Sequence, residues 1–338
     1  MSTHNRAAIV EENFIKRVGD GKLPAGSPFC SLSDAGLRSA DLVDMFESQL
    51  ISRRLDILAR QLRARDATYY TIGSAGHEGN AAVAAALQLK DFAFLHYRSG
   101  AFFVQRSKQL PGTTPVYDLM LSFAASAHDP ISQGRHKVLG SVELNIPPQT
   151  STIASHVPKA VGAALSISYN RDNKLEDSPM ADDSVVVCSF GDASFNHASA
   201  QSGLNLASLM AYQGKDVPII FVCEDNGVGI SVPTPADWIS RAVEGRPGLR
   251  VIDCDGKDLI HTYVAASAAA FCAREHRQPV FLRMQTVRLL GHAGSDVESL
   301  YHSQSSIEQT EADDPLLHSA RLVLENTDLS SEDVLNLH

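Results

Sequence analysis

Two short apolar runs on either side of a helix-like segment constrain this chain more than any other feature. Residues 185–190 (VVVCSF) and 219–223 (IIFVC) are continuously apolar, and both runs stop abruptly at polar residues. Between them, residues 196–212 carry small and apolar side chains on one helical face. Continuous apolar runs are typical of parallel strands that are buried on both faces. The stretch therefore predicts a β-α-β unit of an α/β fold, with a doubly wound, mostly parallel sheet flanked by helices.

Asp192 and Asn226 each follow one of the two apolar runs. Because α/β sheets bind ligands at the carboxyl ends of their strands, we expect these two side chains to lie close together. Mg²⁺ binds oxygen ligands, a few from protein and the rest from water or phosphate. A carboxylate, an amide oxygen and the nearby backbone carbonyl of Val228 would suit it. We therefore predict that Asp192, Asn226 and Val228 hold Mg²⁺.

Small residues surround Asp192 and suit a bound phosphate. Gly191, Ala193 and Ser194 let the backbone approach a diphosphate and present N–H groups at the start of the following helix. The plainer alternative is that Gly-Asp forms an ordinary turn and Asp-Asn-Gly an ordinary helix stop or hairpin. The position of both segments after apolar runs favours the ligand site.

Composition and charge argue against several classes of protein. The chain has 338 residues, of which 44% are hydrophobic and 20% charged, so it is long enough to bury a large core. Its formal net charge of −10 argues against general binding of nucleic acid. No apolar run approaches the roughly 20 residues that span a bilayer, and residues 1–17 lack the apolar segment of a secretory signal. We expect a cytoplasmic protein whose five cysteines are reduced, most of them in the core.

Stretches rich in glycine and proline, together with changes in composition, predict three parts of the chain. Residues 1–40 are predicted to form an N-terminal arm, and residues 41–300 to form the ligand-binding domain. Residues 301–338 are polar and acidic and are predicted to form a C-terminal tail or linker. A helix is predicted from Ser39 or Asp41 to about residue 65, with its arginines on a solvated face.

Gly191-Asp192-Ala193, followed by Asp225-Asn226, resembles the thiamine diphosphate motif, which runs Gly-Asp-Gly and then Asn-Asn about thirty residues later. The surrounding residues 74–296 resemble the alpha subunit of the decarboxylating component of 2-oxo acid dehydrogenase complexes. The resemblance implies the thiamine diphosphate-binding fold and its diphosphate-binding domain. Three departures stand out: Ala193 in place of glycine, Asp225 in place of asparagine, and a slightly longer spacing.

The resemblance also implies roles for residues outside the motif. Tyr97 and Arg98, in a strand that ends in Tyr-Arg, would contact the diphosphate. Ser151 would lie near the cofactor, and Ile153 would press against its pyrimidine ring. His292, in a Gly-His loop, would touch the phosphate and border the active centre.

Several histidines carry two interpretations. His128 and His136 are candidates for substrate contact, and we assign His128 a catalytic role beside His292, although both also fit ordinary loop residues. His77 and Glu78 either face the substrate cavity or simply begin a helix. The sequence alone does not decide between these uses.

The family's activity, as the resemblance implies it, is oxidative decarboxylation of a 2-oxo acid with thiamine diphosphate and Mg²⁺. The acyl group then passes to a lipoyl-bearing acyltransferase. The family's glutamate that contacts the aminopyrimidine belongs to a beta subunit or a fused beta half, so this chain is predicted to be incomplete alone and to form a dimer of alpha–beta units. The alternatives are a transketolase-like enzyme or an inactive α/β binding module. The identity of the 2-oxo acid is left open.

Overall fold

Strands and helices alternate along most of the chain. The computed structural model describes residues 5–26, 29–69, 72–135, 138–149 and 152–338. Among these residues, no helix combines the length and the apolar character that crossing a membrane requires. The helices are α1 (Arg6–Gly19), α2 (Ser39–Arg63), α3 (Asn80–Ala85), α4 (Gly100–Ser107), α5 (Pro115–Phe123), α6 (Val157–Asp172), α7 (Asp192–Phe195), α8 (Ala198–Tyr212), α9 (Trp238–Val243), α10 (Leu259–Glu275), α11 (Gln304–Ala312), α12 (Pro315–Asn326) and α13 (Ser331–Leu337). The strands are β1 (Phe92–Phe94), β2 (Leu139–Ser141), β3 (Ile146–Gln149), β4 (Val186–Gly191), β5 (Ile219–Asp225), β6 (Val228–Gly229), β7 (Val232–Pro233), β8 (Arg250–Asp255) and β9 (Val280–Gln285).

The central sheet has five strands in the order β1-β4-β5-β9-β8, and every neighbouring pair is parallel. The two apolar runs became β4 and β5, as predicted. In the β4–β5 register, Gly191 lies opposite Glu224, so the two strands end together. The residues that follow them therefore emerge at one edge of the sheet.

Alternate residues of the strands point to opposite faces of the sheet, and each face is covered by its own helices. Val187 and Ile220 belong to a core that includes residues of α2, α3, α4 and α10. Cys188 and Phe221 belong to a second core with residues of α6, α8 and α9. Two apolar layers on one parallel sheet confirm the doubly wound architecture.

The five cysteines are free thiols, as predicted. Four are buried: Cys188 in β4, Cys223 in β5, Cys254 in β8 and Cys272 in α10. Burial raises the pKa of the Cys254 thiol to about 12, because an apolar setting disfavours the thiolate. Cys30 is partly exposed.

Both ends of the chain contain helices. Helix α1 lies within residues 1–40, and it buries Ala7, Val10, Phe14 and Val18, whose three- and four-residue spacing forms one apolar face. Within residues 301–338, α11, α12 and α13 also fold, and Leu316 and Leu317 of α12 are fully buried. The boundaries of the three predicted parts, 1–40, 41–300 and 301–338, stay predictions.

The predicted helix at residues 39–65 is α2, but one of its arginines is not on a solvated face. Arg53 is buried and donates two hydrogen bonds to Asp314, at 2.8 and 2.9 Å, and one to Glu78, at 2.6 Å. Helix α12 packs against α2 and brings Asp314, its N-cap residue, over this position. The expectation that this arginine is exposed was wrong because the start of α12 covers Arg53.

Candidate functional site

One cavity at the carboxyl edge of the sheet brings together most of the predicted site residues. The three predicted metal ligands, Asp192, Asn226 and Val228, all line it. So do seven of the eight other residues predicted to contact the cofactor: Tyr97, Arg98, Ile153, Gly191, Ala193, Ser194 and His292. These residues come from segments following β1, β4, β5 and β9 and from the segment before α6.

Asp192 supplies a buried carboxylate at this cavity. It begins α7 directly after β4, is 1% exposed, and accepts a hydrogen bond from the hydroxyl of Thr234. Burial raises its pKa, because desolvation disfavours the charged form. Among the described residues Asp192 makes no ion pair with a lysine, arginine or histidine. A cation in the cavity would remove this penalty.

Asn226 supplies an amide whose two ends are each engaged. Its Oδ1 accepts a hydrogen bond from the backbone N–H of Val228 at 3.0 Å. Its Nδ2 lies 3.0 Å from Nε2 of His77, which lies three residues before the start of α3. The Asn226 oxygen therefore has a defined direction, and an amide oxygen has room for a second interaction.

Two buried guanidinium groups face the same cavity. Arg98 donates to the backbone oxygens of Gly73 at 2.5 Å and His292 at 3.1 Å. Arg288 donates to the oxygen of Ile230 at 2.8 Å and the hydroxyl of Tyr301 at 2.7 Å, while its Nε is buried without a hydrogen-bond partner among the described residues. Arginine suits phosphate because its planar fork donates several charge-assisted hydrogen bonds. The cavity thus combines oxygen ligands for a cation with cationic groups for an anion.

His292 lies next to these cationic groups. Its Nε2 is 3.3 Å from the hydroxyl of Tyr97, and its backbone N–H donates to Asp296 at 2.6 Å. Burial, and then the charges of Arg98 and Arg288, lower the pKa of His292 to about 4. The imidazole is therefore neutral at pH 7, and an anion bound beside it would raise that pKa.

Glu224, at the end of β5, forms a buried cluster that the sequence did not reveal. Its Oε2 lies 2.6 Å from Nδ1 of His77 and 3.5 Å from Nδ1 of His96. Burial alone would raise the pKa of Glu224, but the hydrogen bonds with His77 and His96 outweigh it and lower that pKa to about 2. These residues come from three separate segments, so no local spacing signals the cluster. His77 contacts both Glu224 and the predicted metal ligand Asn226, so it does more than precede a helix.

The β6–β7 hairpin lines the cavity and packs closely against Ala193. A Cβ built on Gly229 would lie 2.6 Å from the Cβ of Ala193, closer than two carbon atoms can approach. Next to it, Ile230 has a φ of 56°, in the left-handed region that β-branched residues rarely occupy. Such strain is typical of functional sites. Gly229 therefore makes room for the methyl group of Ala193, the residue that departs from the motif.

We expect Gly229→Ala to weaken cofactor binding by pushing the hairpin away from Ala193. Overpacking of this kind costs about 1–3 kcal/mol of stability. Adding Ala193→Gly removes the opposing methyl group, so the double variant should regain most of the lost affinity. Calorimetric titration of thiamine diphosphate with Mg²⁺ into the single and double variants measures this coupling. Purely additive effects would contradict the direct contact.

Three other sequence predictions fall outside this arrangement. His128 is exposed in the loop after α5, and it does not line the cavity. Ser151 and His136 lie outside the described residues. Ile153 lines the cavity but is still largely exposed, at 44%. A catalytic role for His128 stays a prediction that gains no support from this geometry.

The buried imidazole of His156 predicts a stability that depends on pH. Its Nε2 lies 2.7 Å from the carbonyl oxygen of Ser189 in β4, and burial lowers the pKa of His156 from 6.5 to about 4. The unfolded chain therefore binds a proton that the folded chain does not, so stability falls as pH drops from about 6.5 to about 4. At about 1.4 kcal/mol per pKa unit, His156 accounts for about 3 kcal/mol of this loss.

His156→Gln keeps a donor for the Ser189 carbonyl but cannot be protonated. We therefore expect a flatter dependence of the free energy of unfolding on pH in this variant. Urea denaturation at pH 7 and pH 4 measures the difference. An unchanged slope would mean that His156 takes up its proton equally in both states.

Comparison with known proteins agrees with the fold. A solved transketolase from Pichia stipitis superposes on 88% of this chain and 46% of its own, with a TM-score of 0.51 and 15% identity. That likeness places the chain in the transketolase-like class of α/β folds. The family model of the dehydrogenase E1 component matches residues 46–337.

Two curated relatives are both alpha subunits. The 2-oxoisovalerate dehydrogenase subunit alpha of Bacillus subtilis is 28% identical over 307 residues, which span 88% of this chain and 86% of the relative. The mitochondrial counterpart from Mus musculus is 25% identical over 299 residues, or 87% and 63% of the two chains. The chain belongs to the dehydrogenase E1 component family, and its relatives confirm the resemblance to an alpha subunit of a 2-oxo acid dehydrogenase. The family implies thiamine diphosphate as the cofactor.

Proposed function

We propose that this chain holds the diphosphate end of thiamine diphosphate, through Mg²⁺, in the decarboxylating component of a 2-oxo acid dehydrogenase. One observation carries the proposal. A single cavity joins a buried carboxylate and an amide oxygen, from Asp192 and Asn226, to the buried guanidinium groups of Arg98 and Arg288. A cation bridging protein oxygens to a diphosphate needs both kinds of group.

The residues present fit such a group. Asp192, Asn226 and the carbonyl of Val228 would hold Mg²⁺, and the unpartnered Nε of Arg288 leaves a donor for the diphosphate. Arg98, Tyr97 and His292 would bind the diphosphate from the other side, and the backbone at Gly191, Ala193 and Ser194 would approach it at the start of α7.

The rest of the cofactor and its chemistry complete the proposed site. Ile153 and Ser151 would contact the ring end of the cofactor. When bound, thiamine diphosphate supplies the electron sink that decarboxylation requires. This chain's own residues bind it, orient it and exclude water from its anionic end.

The substrate we propose is a branched-chain 2-oxo acid. The support is that both relatives are 2-oxoisovalerate dehydrogenase alpha subunits. The reaction would be oxidative decarboxylation with acyl transfer to a lipoyl-bearing acyltransferase, in a dimer of alpha–beta units. A beta subunit or fused beta half would complete the active centre. The cytoplasmic location stays a prediction, since the mouse relative is named as mitochondrial.

Two measurements test this function. Calorimetric titration should show binding of thiamine diphosphate that requires Mg²⁺, and release of CO₂ from a branched-chain 2-oxo acid should appear only when a beta subunit is added. Robust turnover by this chain alone would refute the proposed division between subunits. Absence of cofactor binding with the beta subunit present would favour an inactive binding module instead.

The departure at Asp225 does not by itself favour that inactive alternative. The Asp225 carboxylate accepts a hydrogen bond from Arg283 of β9 at 2.8 Å, so it is engaged in an ion pair between neighbouring strands. The transketolase-like alternative rests on the fold alone. A comparison of 2-oxo acids with ketose phosphates as substrates separates it from the proposed function.

A further inference from the structure

The amide of Asn226 is oriented from two sides. The backbone N–H of Val228 donates to Oδ1 at 3.0 Å, which leaves Nδ2 on the opposite side. There, Nδ2 lies 3.0 Å from Nε2 of His77. An amide nitrogen can only donate, so Nε2 of His77 must accept this hydrogen bond.

That assignment fixes the proton of His77. An imidazole whose Nε2 accepts carries its proton on Nδ1. Nδ1 lies 2.6 Å from Oε2 of Glu224, a short distance that is typical of a charge-assisted hydrogen bond. The side chains of His77 and Glu224 are both 0% exposed, so the carboxylate has no water to replace this donor. Asn80 and His96 hold Glu224 in place, at 3.4 and 3.5 Å.

A metal ion within this cluster is the alternative use of two histidines and a carboxylate. Transition metals in proteins have bonds of about 2.0–2.2 Å to nitrogen and oxygen, so their ligand atoms lie about 3–3.5 Å apart. Here Nδ1 of His77 and Oε2 of Glu224 are 2.6 Å apart, although the candidate ligand atoms of His77, His96 and Glu224 all lie within 4.8 Å of one another. The short contact is too close for two ligand atoms of one ion and is a hydrogen bond. The geometry favours a hydrogen-bonded chain.

We propose that His77 and Glu224 are positioning residues that keep the oxygen of Asn226 available for Mg²⁺. Glu224 holds the proton of His77 on Nδ1, and His77 in turn holds the NH₂ end of Asn226. With the proton on Nε2, His77 would instead attract Oδ1, and the amide would present its NH₂ group to the cation. Mg²⁺ binds oxygen and would lose that ligand. This inference rests on the proposed function of Asn226.

The test measures both the tautomer of His77 and the affinity of the chain for a metal ion. In the full chain labelled with ¹⁵N-histidine, we expect NMR to show His77 protonated on Nδ1 and not on Nε2. Glu224→Met removes the carboxylate while filling its space, and it should populate the Nε2–H form. The same variant should bind Mn²⁺ with thiamine diphosphate about 10–100-fold more weakly, as measured by electron paramagnetic resonance, since loss of a partner behind a metal ligand typically has that effect.

Glu311→Met is the matched control. Glu311 is also a buried glutamate, but its partners are Arg6 and Asn13, and it does not line the cavity. This variant should lose stability and keep the wild-type affinity for Mn²⁺. Equal losses of affinity in both variants would mean that the effect follows stability and would overturn the positioning role.

The remaining outcomes separate the two proposals. Failure of the wild-type chain to bind Mn²⁺ with thiamine diphosphate would overturn the proposed function and the positioning role together. Wild-type affinity in Glu224→Met would overturn the positioning role alone. An Nε2–H tautomer in the wild-type chain would do the same even if the variant fails to fold. Two Mn²⁺ ions per chain, falling to one in Glu224→Met, would make the cluster a metal site instead.

Discussion

Replacing Arg53 with Met is expected to lower the free energy of unfolding by about 3–5 kcal/mol, the range found when one partner of a buried ion pair is removed. The guanidinium is 2% exposed and is the shared partner of Asp314 and Glu78. Both carboxylates would remain buried without it. Burial already raises the pKa of Glu78 to about 7 even with Arg53 present. Urea denaturation at pH 7 measures the change.

Arg54→Met is the matched control, one residue away on the same helix. Arg54 is 48% exposed and pairs with Glu11, which is 24% exposed. Surface pairs of this kind contribute about 0–1 kcal/mol, so this variant should remain close to wild type. A similar loss in both variants would show that α2 tolerates no change of arginine and that the buried pairs are not the cause.

Asp192→Asn should weaken Mg²⁺-dependent binding of thiamine diphosphate by at least about 100-fold. Loss of a residue that only hydrogen-bonds to a metal ligand typically costs about 10–100-fold, and loss of a charged ligand itself should cost at least as much. The substitution preserves the shape of the side chain and its acceptor for the Thr234 hydroxyl, so the local fold should persist. It removes the buried negative charge that would hold the cation. Burial raises the pKa of Asp192, so removing the charge should leave stability unchanged or increase it. Calorimetric titration with and without Mg²⁺ provides the affinity.

Asp225→Asn separates this effect from a general loss of negative charge. Asp225 is engaged with Arg283, and asparagine at this position restores the residue of the motif. We expect this variant to bind the cofactor about as well as wild type and to lose at most about 1 kcal/mol of stability, as for a partly exposed ion pair. If both variants lose affinity equally, the cation is not bound specifically by Asp192.

The strands and helices beside the cavity were predictable because their signals are local. Continuous apolar runs predicted β4 and β5 to within about two residues, and the helix-like segment at residues 196–212 is α8. The polar residues that end the strands meet because parallel strands end at one edge. The sequence could therefore predict that Asp192 and Asn226 lie at the same edge of the sheet.

The supporting contacts were not predictable because they join distant segments. Arg53 meets Asp314 across most of the chain, and nothing in the spacing of α2 distinguishes it from Arg54. Glu224 meets His77 in the same way, from a different strand and helix. The contact between Ala193 and Gly229 depends on the path of a hairpin. Such contacts form when distant segments pack together, and they have no characteristic spacing in the sequence by which they could be predicted.

The thiols at the centre of the sheet provide a direct report on how the sheet opens. Cys188 and Cys223 are fully buried on adjacent strands, and burial raises both thiol pKa values. Alkylating reagents attack the thiolate, so these two side chains should react only during openings that separate the strands. Cys30, which is partly exposed, would react first. Mass spectrometry can follow the slower modification of Cys188 and Cys223 with and without cofactor. Its rate would therefore measure the free energy of opening of the strands whose ends form the cavity.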